Sequence, residues 1–102
     1  MAEPSFAVQM GVTLVDNQLL VTPQVSTDGP KASLHYELHV HKKGPSGTTT
    51  TRQDGTVTIP TSESKSLLRL TLRVAPTDTY SINLQVFQGE RLVAQGAIHY
   101  PQ

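Results

Sequence analysis

Ala75-Pro76-Thr77-Asp78-Thr79-Tyr80, continuing as Ser81-Ile82-Asn83-Leu84-Gln85-Val86, is the stretch whose reading decides the fold. Its second half alternates strictly. Tyr80, Ile82, Leu84 and Val86 fall on one side and Ser81, Asn83 and Gln85 on the other. That period of two describes a strand with one buried and one wet face. The same period runs outward in both directions. Leu34, Tyr36, Leu38 and Val40 alternate with His35, Glu37, His39 and His41, and Leu68, Leu70, Leu72 and Val74 alternate with Arg69, Thr71 and Arg73. No long window carries the i, i+3, i+4 spacing of a helix.

Breaks fall at short intervals between these runs. Asp16-Asn17 separates strands expected at about 6–15 and 18–26, and Thr27-Asp28-Gly29-Pro30 precedes one at about 31–42. Gly44-Pro45-Ser46-Gly47 leads into Thr48–Arg52, and Asp54-Gly55 reads as a hairpin dipeptide before Thr56–Ile59. Pro60 through Lys65 reads as a loop. Strands then follow at about 66–74, 79–88 and 90–100, the last two joined at Gln88-Gly89-Glu90. Such spacing predicts an all-β sandwich or small barrel. The opening stretch chooses between them. A Tyr two residues after an Asp, at the start of the penultimate strand, resembles the tyrosine corner of an immunoglobulin-like β-sandwich. The plainer alternative is a core-facing Tyr after an ordinary turn. With neither the usual core Trp nor a Cys pair, the expectation of about seven antiparallel strands rests on strand number, spacing and this corner.

The 102 residues suit one domain, 1–102. A chain of this size buries only about 60–70% of the surface its unfolded form exposes. With no Trp, three Tyr and two Phe, its core must be aliphatic. The formal net charge is zero, which argues against a general nucleic-acid or membrane-surface binder. The charge is unevenly spread, however. Between Lys31 and Arg73 the basic residues are Lys31, Lys42, Lys43, Arg52, Lys65, Arg69 and Arg73, against Glu37, Asp54 and Glu63, a balance of +4. This is either ordinary surface charge or a basic face that meets an acidic partner. The absence of cysteine excludes disulfides, thiol chemistry and Cys-type zinc sites. No apolar run approaches the ~18 residues of a membrane-spanning helix. Met1-Ala2-Glu3-Pro4 begins no signal-peptide core, as expected for a cytosolic protein or for the mature form of a secreted one.

Few residues carry candidate chemistry. His35, Glu37, His39 and His41 share one side of a strand, and residues two apart there are about 6.8 Å apart. His39 and His41 could converge on Zn, Cu or Ni, although a strand row offers no enclosing shell; a solvated polar face is the plainer reading. Imidazole as a class titrates near pH 6.5, so this row, next to Lys42 and Lys43, would add to any basic patch on mild acidification. No nucleophile elbow is present, and Gly44-Pro45-Ser46-Gly47 lacks the Lys of a phosphate loop. No enzyme and no cofactor is therefore expected. Thr48-Thr49-Thr50-Thr51 suits a pleated, half-exposed strand. A short polar strand is also a usual means of making a sheet edge poor at self-pairing.

From Gly44-Pro45-Ser46-Gly47 through Thr51-Arg52-Gln53 the chain resembles the small curli-system proteins of the CsgC/CsgH family, which pair a Gly-x-Ser-Gly loop with a polar strand ending in a basic residue and Gln. The likeness extends over about 17–101, through Leu20–Val25, Leu70–Asp78 and the closing His99-Tyr100-Pro101. It implies a periplasmic immunoglobulin-like protein that keeps a secreted amyloid subunit from fibrillating before export. Some members carry a Cys-x-Cys pair where this chain has Ala32 and Leu34, so a redox role is excluded here and the cysteine-free CsgH branch is the nearer. The partner so implied is a curli-type amyloid fibre subunit, unfolded or in early oligomers, met by a monomer without membrane insertion. The residues expected to meet it are Lys42, Lys43, Arg52, Arg69 and Arg73, beside the polar edge strand with Thr48 and Thr50. Charge attraction of this kind speeds encounter more than it tightens binding. A generic immunoglobulin-like adhesion module and a metal site at His35, His39 and His41 are the competing readings.

Overall fold

The structure, a computed structural model, describes residues 5–45 and 47–101. Met1–Pro4, Ser46 of the Gly-x-Ser-Gly element and Gln102 lie outside the described residues. The order of elements is β1 (Phe6–Val15), β2 (Gln18–Thr27), β3 (Ala32–Gly44), β4 (Gly47–Ile59), β5 (Ser64–Ser66), β6 (Leu70–Arg73), β7 (Thr79–Gln88) and β8 (Arg91–Tyr100). All pairings are antiparallel. Three tight turns rest on local chemistry. Asp16 and Asn17 both take left-handed backbone, φ 51° and 63°, as the two central residues of a type I′ hairpin turn require. Gly47 and Gly89 supply positive φ at the β3–β4 and β7–β8 turns.

One sheet runs β4-β3-β7-β8. In the other, β2 pairs with β1 on one side, and on its other side with β5 at Gln24–Ser26 and β6 at Gln18–Val21. Thus β5 and β6 lie end to end along one edge of β2, and the eight strands fill seven positions. This is the immunoglobulin-like sandwich expected from the alternation. Between the sheets lie Leu19, Val21 and Val25 from β2, Leu34, Leu38 and Val40 from β3, Ile59 from β4, and Ile82, Leu84 and Val86 from β7. The alternation in β2, β3 and β7 thus faces one aliphatic core, and its burial is the main stabilising contribution. Tyr80 is buried and its hydroxyl donates to the Arg73 carbonyl, so the corner is a tyrosine corner in fact.

Two expectations are corrected. Asp54-Gly55 is not a hairpin turn, and Thr48–Arg52 and Thr56–Ile59 are parts of one strand, β4, paired with β3 along its whole length. Gly55 stands opposite Tyr36, and a Cβ there would come within 2.7 Å of the Tyr36 hydroxyl. The glycine is needed because an aromatic ring crosses it, not because the chain turns. The run at about 66–74 is likewise not one strand. Leu67 and Leu68 are both half-buried, which breaks the alternation, and the Leu67 N–H donates to the Pro23 carbonyl at 3.0 Å. The chain therefore pairs twice, and β5 begins at Ser64, inside the segment expected to be loop.

Candidate polar flank and its charged face

Among the described residues β4 pairs only with β3, so it is a free edge of its sheet. Its first half, including Thr48, Thr49, Thr50 and Thr51, is exposed. Side chains alternate across it. Thr48, Thr50 and Arg52 share the outer face of the sheet with Lys43, His41 and His39, their partners on β3. Thr49 and Thr51 turn toward β6, where they line an open cleft of about 260 Å³ with Lys42, Thr71, Arg73 and Tyr80.

The five basic residues singled out from the sequence are therefore not on one face. Lys43 and Arg52 lie on the outer face of the β3–β4 pair, while Lys42 and Arg73 meet at the cleft behind it. Together these four band the polar edge on both sides. Arg69 stands apart, at a depression on the outside of the other sheet with Val15, Asp16 and Leu20. Arg69, Thr71 and Arg73 are exposed while Leu70 and Leu72 are half-buried, so the alternation places the two arginines on one side of their segment.

Two of the four cations are engaged internally. The Lys42 ammonium lies 3.4 Å from the buried Asp78 carboxylate and 5.9 Å from the Tyr80 ring centroid. Gly44 is required at the end of β3 because a Cβ there would collide with the Asp78 carboxylate. The aspartate of the opening stretch thus anchors the base of the polar edge. Arg52 is bound to Glu37 and lies 3.7 Å from Asp54.

The histidines are regrouped as well. His35 is in the row beyond Glu37 and Asp54, with its ring centroid 6.3 Å from that of Phe87. The His41 Nδ1 shares a hydrogen bond of 3.1 Å with the Thr50 hydroxyl. Among the described residues no three His, Asp or Glu side chains are grouped to hold a metal ion. Sequence reasoning missed His99, which β8 brings into the row of His41 with Ser81 of β7 between them. No local spacing signals that neighbour; only the pairing order does.

It also missed the opposite flank. There β1 and β8 are the free edges of their sheets. They touch at Gly96, where a Cβ would meet Val8 and Met10 at 2.9 and 3.0 Å. Beyond that contact they part around an open, mainly apolar cleft of about 640 Å³ lined by Met10, Val12, Ala97, Ile98, His99 and Tyr100. Val12, Leu14 and Val15 are exposed at this end of β1. A sequence signal was available, since Phe6–Val15 contains no charged residue.

The fold and these surfaces define a small immunoglobulin-like sandwich with one polar, cation-banded flank and one apolar flank. The chain belongs to the Tafi-CsgC family, the thin aggregative fimbriae synthesis proteins, whose model matches residues 4–96. Two solved structures share the fold. The E. coli curli protein CsgC is 21% identical, with a TM-score of 0.75 over 96% of this chain and all of that one. R. palustris CsgH is 16% identical, with a TM-score of 0.66 over 88% of this chain and 89% of that one. A β-glucuronidase of glycoside hydrolase family 2 is similar across 91% of this chain but only 11% of its own, at 6% identity and a TM-score of 0.58, which shows a shared sandwich and nothing of its activity. No curated protein matches the chain.

Proposed function

We infer that this chain is a periplasmic, chaperone-like inhibitor of amyloid formation that acts on a curli-type fibre subunit. The family is one of curli accessory proteins, which supports the curli setting and a non-enzymatic role. The observation that carries the mechanism is the β4 edge, a free strand whose first half, Thr48–Asp54, is polar and exposed with cations on both sides. Amyloid nucleation requires strands to pair in register and to exclude water between sheets. An unfolded client drawn to Lys42, Lys43, Arg52 and Arg73 meets threonine hydroxyls where a growing fibril would need a dry apolar face. The contact is electrostatic, brief and weakened by salt. A monomer is enough for it.

The deciding experiment follows fibrillation of a curli-type subunit with this chain present at substoichiometric ratio. A lengthened lag is expected. An adhesion module with the same fold would leave the lag unchanged, and so would sink this reading. Arg52→Glu with Arg73→Glu should abolish most of the delay while the folded spectrum persists. Arg69→Glu, away from the β4 flank, should remove much less.

A further inference from the structure

Among the described residues the free edges are β4 and β8 of one sheet, and β1 and the line of β5 and β6 in the other. Three of them carry a device that blunts further pairing. Cations band β4 on both sides. β5 and β6 are only three and four residues long. β8 is broken by a bulge: Ala94 stands opposite Val86 and Leu92 opposite Phe87, which leaves Val93 outside the register. β1 has none of these devices. Its ten residues carry no charge, no proline and no register break.

The backbone of β1 shows which residues a further strand would meet. Pro23 stands opposite Met10, yet its carbonyl accepts from the Leu67 N–H on the far side of β2. The polar groups of Met10 and Pro23 therefore point away from each other. At the other parity the Asp28 N–H donates to the Ser5 carbonyl, so the odd-numbered residues of β1 bond to β2. Alternation leaves the N–H and C=O groups of Met10, Val12 and Leu14 directed at the open edge. The side chains of these three fall on the side that faces the other sheet. Met10 and Val12 line the cleft of about 640 Å³, and Val12 and Leu14 are exposed beside it.

We propose that β1 pairs antiparallel with β1 of a second copy of this chain, about a two-fold axis at Val12. In that register Val12 stands opposite the second copy's Val12, and Met10 of each copy stands opposite Leu14 of the other. Each such pair exchanges two backbone hydrogen bonds. Leu14 of each copy then covers the mouth of the other's cleft beside Met10. The pairing spans 9–15 and stops before Asp16, so no charge enters it. A formal net charge of zero gives the two copies no long-range repulsion. A standard interface buries about 800 Å² per partner, about an eighth of the 6501 Å² that this chain exposes. One strand edge and the cleft beside it fall short of that size, so the dimer is weak and reversible. It is also closed, because each β1 is used once and the polar β4 flanks stay outermost.

The test is sedimentation equilibrium of the full chain between about 10 μM and about 1 mM, read together with amide exchange. The mass should rise from 11.1 kDa toward about twice that value and level off. Exchange at the Met10, Val12 and Leu14 amides should slow as concentration rises, while Gly11 and Thr13, already bonded to β2, should not change. The V12K and V12E variants should each keep the folded spectrum, since the position is exposed, and should weaken the dimer by about fivefold or more. An equal mixture of the two should restore it, because the axis sets one charge against the other. A single-chain mass throughout, a mass that climbs past two chains, slowed exchange centred on another edge, or a mixture no better than its parts would each overturn the proposal. So would a chain that stays monomeric while an added uncharged strand-forming peptide protects those three amides, which would give the edge to a foreign strand.

Discussion

The two flanks of the sandwich present opposite chemistry on the same backbone motif. Each is formed where free edge strands of the two sheets come together. On one flank β4 offers threonines, with Lys43 and Arg52 on one side and Lys42 and Arg73 on the other. On the other flank β1 offers ten residues without a charge, and Val12, Leu14 and Val15 are exposed. Polar side chains and cations guard an edge against continued pairing, whereas a long apolar edge invites it. One flank is thus poor at continued pairing, and the other is closed by the Gly96 junction together with Phe6, Val8, Met10, Val93, Ala94, Ile98 and Tyr100, which pack against the core.

The comparison can be broken at four places. The largest effect is expected at Gly55. Gly55→Ala puts a methyl within 2.7 Å of the Tyr36 hydroxyl, so the ring must move or β4 must lift. Overpacking of this sort costs about 1–3 kcal/mol. Denaturant unfolding should show that loss, and amide exchange should show it concentrated at Thr48–Ile59 instead of in β1. Tyr80→Phe removes the hydroxyl that donates to the Arg73 carbonyl. Loss of that hydrogen bond should cost about 0.5–1.5 kcal/mol in thermal or denaturant unfolding and should loosen the cleft on the polar flank. The smallest effect on stability is expected on the apolar flank. Leu14→Lys, at an exposed position, should change stability by less than about 0.5 kcal/mol. It should still lower self-association at high concentration in sedimentation, while Thr50→Val, which makes the polar flank apolar, should raise it. Identical sedimentation of the two variants would mean that edge chemistry does not separate the flanks.

Much of this architecture is legible in the chain. The alternating runs at 34–40 and 80–86 lie on the core as read, because a period of two leaves one solution once a face must be buried. The Tyr80 corner is legible for a similar reason: a buried phenol needs a partner, and the end of β6 just before the corner supplies the Arg73 carbonyl. Gly55 misleads because Asp-Gly signals a turn equally well when the glycine is needed to pass under Tyr36. The division of residues 64–73 between β5 and β6 is hidden because Leu67 and Leu68 are adjacent leucines with no Gly or Pro between them. For the candidate site, the edge character of Thr48–Thr51 is readable and the grouping of the cations is not. Alternation alone sends Lys42 and Lys43 to opposite faces, and sheet order alone separates Arg69 from Arg52. His99 joins His41 through β7, a relation that no window of sequence contains.

The bonding of Arg52 to Glu37 and Asp54 has a kinetic side. For an inhibitor of the kind inferred above, an arriving carboxylate would not find a vacant guanidinium; it would have to exchange with side chains already in place. When it leaves, those same side chains are at hand to take the arginine back. Both directions therefore have a ready-made substitute, which lowers the cost of parting as much as the gain from meeting. Such an arrangement favours short dwell times and quick reuse over long capture. A molecule working in this way would be measured by how many encounters it completes, not by how tightly it holds any one of them.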